Sequence, residues 1–208
     1  MNMISEIKIA TFFVLSLLLA LSPGPDNIYT ITLTFREGKK AGFLFLTGLI
    51  LGCLTHTAIL SFGINFMKIE FDLFTNMLRY LGFFYLIFLA IRVYYSKNTL
   101  DFDKGKIDLR VKKNIIKGFL MNILNPKVFI FFAIFFPNFF FSNNISHQIQ
   151  IITLGVIFVF NTLIVFSFFI LISDVIFRKF HTIKGFQLII KYINIFVLLS
   201  IAVLILLG

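Results

Sequence analysis

Residues 9–33 read IATFFVLSLLLALSPGPDNIYTITL. The run is long enough to cross a bilayer, which takes about 20 largely apolar residues, yet Ser22-Pro23-Gly24-Pro25-Asp26 interrupts it. A proline inside a helix removes a hydrogen bond and clashes with the preceding turn. With Gly24 between Pro23 and Pro25, a continuous helix is untenable here. Backbone groups freed by such a break need partners, so it is tolerated where protein or water surrounds it. Residues 114–140, NIIKGFLMNILNPKVFIFFAIFFPNFF, repeat the device with Asn125-Pro126-Lys127. The two breaks stand 101 residues apart, counted from Pro25 to Pro126.

Four further apolar runs, 41–63, 73–95, 149–173 and 186–207, complete six expected spans. The composition agrees: 59% of residues are hydrophobic and 13% charged, against roughly 25% charged in soluble domains. The 208 residues leave no room for a separate soluble domain. The spans must be helices, because open strands would leave unpaired backbone groups in lipid. Barrel strands would alternate polar and apolar residues, and 129–136 is apolar throughout. Ala20-Leu21-Ser22 resembles a cleavage site. However, Glu6 and Lys8 cancel where a signal peptide needs positive charge, so 9–33 is read as a retained span.

The net charge of +10 is spread over short basic clusters between spans, the pattern of cytoplasmic loops, and is not a nucleic-acid surface. Arg36, Lys39 and Lys40 mark the first connector. Lys97, Lys104, Lys106, Arg110, Lys112 and Lys113 mark the third, and Arg178, Lys179 and Lys184 the fifth. The second holds Lys68 beside Glu70 and Asp72, and the fourth, 137–148, has no Lys or Arg. Connectors one, three and five are therefore expected in the cytoplasm and both termini outside. The third connector, about 96–113, divides a single transmembrane domain (1–208) into halves of three spans, about 1–95 and 114–208. An odd number of spans per half makes the halves, if related, inverted repeats, as in many secondary transporters. The fold expected is an all-α integral membrane protein of six transmembrane helices, with the first and fourth broken at Pro23, Gly24 and Pro25 and at Pro126.

Asp26 lies ten residues before Arg36, and Lys127 ten after Lys117. At about 1.5 Å per residue both sit roughly 15 Å deep, near the middle of a hydrocarbon core about 30 Å thick. A charge there costs about 2.5–3.5 kcal/mol. One reading is an ion pair that locks the halves together. The other is a polar site, where Asp26 attracts an ammonium or a proton and Lys127 a carboxylate, the two groups of an amino-acid zwitterion. Asn122 and Asn125 lie within a turn of each other beside Lys127. Asn122, Asn161 and Asn194 are read as interhelical hydrogen-bonding groups or as ligands, and Asn122 and Asn125 are the candidate ligands beside Lys127. Gly48 and Gly52 form a small-xxx-small pattern that lets helices approach, and His56 continues that face. It is read as a buried neutral histidine bonded to a neighbour, or as a proton relay with Asp26. Arg79, Arg92, Asp174 and Lys191 lie near span ends and are read as structural. Cys53 alone forms neither a disulfide nor a redox pair. No His-Glu-x-x-His zinc site and no serine-nucleophile motif is present, so neither metal nor cofactor is expected.

Ser22-Pro23-Gly24-Pro25-Asp26-Asn27, the turn ending Gly38-Lys39-Lys40-Ala41-Gly42, then Gly48, Gly52 and His56 closely resemble the opening of the lysine-exporter (LysE/RhtB-type) family of bacterial amino-acid efflux proteins. Gly82-Phe83-Phe84-Tyr85-Leu86 resembles that family's third span. Lys117-Gly118-Phe119-Leu120-Met121-Asn122-Ile123-Leu124-Asn125-Pro126-Lys127 resembles its fourth. The chain departs from the pattern in its 31 Phe and in Ala90 where a glycine often stands. The resemblance implies a multi-pass exporter of amino acids or close derivatives in the bacterial inner (plasma) membrane, driven by a proton or cation gradient. Its expected partners are the lipid bilayer, a small amino-acid substrate and the coupling ion, with a homodimer left open and no nucleic acid. The rival readings are a membrane-embedded enzyme and a structural membrane subunit. Asp26 and Asp174 would be the enzyme's only acid pair, and the topology holds them apart.

Overall fold

The computed structural model describes residues 3–22, 24–63, 71–95, 111–182 and 185–207. For some helical residues, Arg79, Asp174, Arg178, Lys179 and Asn194 among them, it describes the backbone alone. Those side chains, Pro23, and the connector residues Lys68, Glu70, Lys97, Lys104, Lys106, Arg110 and Lys184 lie outside the described residues. Among the described residues every regular element is helical. The order is α1 (Met3–Leu21), α2 (Pro25–Glu37), α3 (Lys39–Gly63), α4 (Phe71–Tyr95), α5 (Val111–Ile123), α6 (Pro126–Ile130), a π-helical stretch (Phe131–Phe135), α7 (Phe136–Asn138), α8 (His147–Thr182) and α9 (Phe186–Leu207).

The run 9–33 is two helices, α1 and α2, bent by 56° across the Ser22–Gly24 break. The run 114–140 likewise divides at Leu124-Asn125, with α5 and the helical segment after Pro126 bent by 53°. Two unbroken helices, α3 and the His147–Ser173 part of α8, are long and apolar enough to cross a membrane, and the bent pairs raise the number to four. Helices α4 and α9 fall where the third and sixth spans were expected, with apolar stretches at Phe83–Tyr95 and Lys191–Ser200. The first connector is shorter than the charge pattern indicates. Gly38 alone separates α2 from α3, at φ 85° with its N–H on the Thr34 carbonyl. Glycine reaches that backbone region without the strain a Cβ brings. Arg36, Lys39 and Lys40 therefore occupy helix ends and not a loop.

Helix α3 packs most extensively on α5 and then on α8, which also receives α1 and α2; α4 packs on α9. The α3–α5 crossing is backbone against backbone. A Cβ at Gly48 would overlap the Ile115 carbonyl and lie 2.7 Å from the Phe119 nitrogen and 2.9 Å from Gly118 Cα. One at Gly118 would overlap the Phe45 carbonyl, and one at Gly52 would fall 2.7 Å from Asn122 Cβ. Backbone cannot swing aside as a side chain can. Gly48→Ala is expected to destabilise the folded protein by about 1–3 kcal/mol, the usual cost of overpacking. Gly63→Ala, where a Cβ meets nothing within 4 Å, should leave thermal unfolding in detergent unchanged.

Two apolar cores sit on either side of the breaks. One gathers Phe12, Leu15, Leu19, Phe131, Phe132, Phe136, Leu154 and Phe158; the other gathers Leu33, Phe45, Leu46, Leu49, Phe166 and Ile170. The first is built largely of rings. Phe12 meets Phe136 edge to face at 5.2 Å between centroids, and Phe132 stacks on Phe136 at 4.3 Å. Pro137 lacks an N–H and its ring displaces the carbonyl one turn back, which accounts for the wider π-helical winding that precedes it. Beyond α7, fully buried Gln150 holds the turn after Phe140. Its Oε1 accepts from Phe141 N (2.6 Å) and Ser142 N (3.1 Å), and its Nε2 donates to the Ser142 (2.7 Å) and Ile145 (2.8 Å) carbonyls.

Candidate substrate site at the paired helix breaks

Each break is stitched by side chains. Carbonyls at the C-terminal end of α1 have no partners within the helix. Ser22 N donates to the Leu18 carbonyl at 2.9 Å, Asn27 Nδ2 to that of Ala20 at 2.7 Å, and Lys127 Nζ to that of Ser22 at 2.8 Å. The chain restarts with Gly24 extended (φ −136°, ψ 177°) and Pro25 in the first turn of α2, where the missing N–H costs nothing. Asp26 follows, its carboxylate at the positive end of α2, with Oδ1 accepting from Asn27 N at 3.1 Å. A Cβ on Gly24 would come within 2.6 Å of that Oδ1, so glycine leaves the carboxylate its place.

The second break uses the same grammar with the opposite charge. Asn125 caps α6, its Oδ1 accepting from Lys127 N at 3.1 Å, with Pro126 in the first turn. An ammonium at a helix N-terminus opposes the dipole. Lys127 instead reaches the α1 C-terminus, where the dipole favours a cation. The other end of the Asn125 amide donates to Asp26 Oδ2 at 3.3 Å. Asp26 and Lys127 are 6% and 7% exposed. Among the described residues they make no direct ion pair: Asn125 holds one charge and the Ser22 carbonyl the other.

Both charges, with Asn122 and Thr162, line a cavity of about 20 Å³ whose other walls are Leu19, Ala20, Leu49, Val128, Phe158 and Phe166. That is room for about one water, and both charges are buried beside it. Asn122 donates to Cys53 Sγ at 3.4 Å, while its Oδ1 is buried with no hydrogen-bond partner. His56 is buried, but it lies outside that lining. Its ring stacks on Phe132 (5.2 Å between centroids), and its Nε2 has no hydrogen-bond partner. No hydrogen bond of the described residues joins it to Asp26. Asn161 joins α8 to α1 through Ser16 Oγ (2.7 Å) and the Phe13 carbonyl (2.9 Å). Arg92 is exposed, and Lys191 lies over the Tyr94 ring at 5.6 Å. Among the described residues no three His, Cys, Asp or Glu cluster as metal ligands would.

Sequence reasoning passed over three contributors: Thr162, Asn27 and the Ser22 carbonyl. Asn27 directly follows Asp26, and Thr162 stands beside Asn161 inside an apolar run. Both could have been singled out as polar residues at span depth. The Ser22 carbonyl could not, since every residue has one.

Buried opposite charges at two helix breaks, within a bundle of apolar helices, define a multi-pass membrane protein with a polar site between its helices. The chain belongs to the LysE type translocator family, whose description matches residues 17–208. That is a family of translocators and not of enzymes. Among similar proteins, the uncharacterized membrane protein YrhP of Bacillus subtilis (strain 168) is 26% identical over 176 residues, covering 80% of this chain and 83% of that protein. The leucine efflux proteins of Salmonella choleraesuis (strain SC-B67) and Salmonella paratyphi A (strain ATCC 9150 / SARB42) are each 28% identical over 137 residues. Those alignments cover 62% of this chain and 61% of either protein, less than two thirds of their length. No solved structure is significantly similar.

Proposed function

We propose that the protein is a secondary transporter that exports neutral amino acids or close derivatives across a bacterial plasma membrane, driven by protons or another cation. The observation that carries this reading is the pair Asp26 and Lys127, opposite charges at equivalent helix restarts, facing one small cavity. A substrate ammonium replaces the Asn125 amide on Asp26, and a substrate carboxylate replaces the Ser22 carbonyl on Lys127. Both helix-break groups thus act as place-holders when no zwitterion is bound. Asp26 also takes the coupling proton or cation when substrate has left. The family and the leucine efflux relatives support the export of amino acids.

The architecture in this reading is six spans in two inverted repeats, with both termini outside. The packing supports the pairing of the two halves. Exchanging the halves turns the contact of spans two and four (α3 on α5) into that of spans five and one (α8 on α1 and α2). The contacts of spans two and five, and of three and six, map onto themselves. Alternating access then moves the two broken spans about the charges.

The two charges are both engaged by the backbone of an amino acid, and the remaining lining is apolar or neutral. A cationic or anionic side chain would enter with no counter-charge, at about 2.5–3.5 kcal/mol, a discrimination of roughly a hundredfold. Inside-out vesicles bearing the protein should take up leucine-like amino acids under an imposed gradient, and lysine or glutamate at about one hundredth of that rate. Gradient-driven uptake of no amino acid by folded protein would overturn the transport reading, and a preference for lysine or glutamate would overturn the neutral class alone.

A further inference from the structure

A second concavity, an open groove of about 600 Å³, runs between α5 and the start of α2. Its wall is formed by Lys113, Ile116, Lys117, Leu120 and Met121 on α5 and by Leu124 just beyond its end, at the three- and four-residue spacing that places side chains on one helix face. Ile116, Leu120 and Leu124 are 44%, 48% and 74% exposed. Its chemistry is graded: two ammonium groups at one end, aliphatic side chains along its length, and Asn125, the residue that holds Asp26, at the other. From Lys113 to Asn125 is about 18 Å at 1.5 Å per residue, close to one leaflet of a core about 30 Å thick. Lys117 is already drawn toward α2, its Nζ 4.2 Å from the Tyr29 ring centroid, a cation–π contact across the head of the groove.

We propose that this groove binds one anionic phospholipid of the leaflet that Lys113 and Lys117 face, with its phosphate on the two ammonium groups and an acyl chain along Ile116, Leu120 and Leu124. Charge complementarity selects the occupant. A zwitterionic lipid gains less from paired lysines, and a water-soluble phosphate would leave the exposed leucines uncovered. Basic recesses between helices at a cytoplasmic surface are the usual places for anionic headgroups. The lipid lies between the half-helices that lead to and from the breaks, and its tail ends at the residue that bonds Asp26.

The test uses the purified full-length protein in detergent and native mass spectrometry, with phosphatidylglycerol and phosphatidylcholine of identical chains. One phosphatidylglycerol should be retained, about thirtyfold more tightly than phosphatidylcholine, the scale expected of two lysines facing an anionic headgroup. The double variant Lys113→Gln/Lys117→Gln should weaken its retention about thirtyfold and abolish the preference. The double variant Lys39→Gln/Lys40→Gln, which removes the same charge from exposed side chains elsewhere, should keep both. Equal retention of the two lipids, or an equal loss in the control pair, would overturn the proposal. So would displacement of phosphatidylglycerol by an equal concentration of glycerol phosphate, since the acyl chain would then contribute nothing.

Discussion

Asp26→Asn and Lys127→Met are each expected to lower gradient-driven export at least about a hundredfold while the protein still unfolds cooperatively in detergent. The change to Asn is isosteric, so the bond from Asn27 N to Oδ1 survives and the α2 N-terminus keeps a polar cap, while the Asn125 amide loses its acceptor at Oδ2. What is lost is the counter-charge for a substrate ammonium, worth about 2.5–3.5 kcal/mol at this depth. Lys127→Met leaves the Ser22 carbonyl without its donor, at about 1–3 kcal/mol, but also relieves a buried ammonium of its desolvation cost, so the net effect on stability should be small. The neutral double variant separates the two readings of the pair. If the charges only held the halves together, removing both would restore function. If they bind the two ends of a zwitterion, the double variant stays inactive. Recovery of export in that variant would remove both residues from the mechanism.

Asn125 should show the second large effect, in two distinguishable parts. Its oxygen caps α6 and its amide nitrogen holds Asp26. Asn125→Ala removes both, so the melting transition should fall by the amount of a lost N-cap, about 1 kcal/mol, and export should fall with it. Asn125→Asp keeps the capping oxygen but sets a second carboxylate against Asp26 where a donor stood. It should lose at least as much stability as Asn125→Ala despite the kept cap, and transport more slowly than the parent, because like charges at this range repel strongly in a medium of low dielectric. Export in Asn125→Asp equal to that of the parent would show that this amide does not regulate access to Asp26.

Much of this was readable from side-chain chemistry alone. Apolar runs long enough to span a bilayer can only be helical, since lipid offers no partner for a free N–H or carbonyl, and helices stand at all six places. The breaks were legible because proline and glycine act on their own turn. Spacing from the basic clusters set Asp26 and Lys127 at one expected depth, a helix rising by a constant amount per residue, and both are buried in the bundle. Less legible were the ends of elements. Arg36 and Lys39 looked like loop residues, but one glycine at positive φ turns the chain, and charged side chains at helix ends point outward without a loop. His56 shared a face with Gly48 and Gly52, yet it stacks on Phe132 and stands outside the cavity lining, because a three- to four-residue repeat specifies a helix face and not the neighbour it meets.

By itself, then, the order of residues determined that the chain is helical and membrane-spanning, where two of its apolar runs break, and which two charges the fold buries. Each follows from local rules of hydrogen bonding, hydropathy and helix pitch. Only the tertiary structure decided how the charges are held. Lys127 bonds a carbonyl 105 residues away, and Asp26 bonds an amide 99 residues away. Those partners are brought together by α3, which packs on both α2 and α5 and meets α5 at Gly48 and Gly118, a close approach of backbones that only the packing of the whole bundle can set.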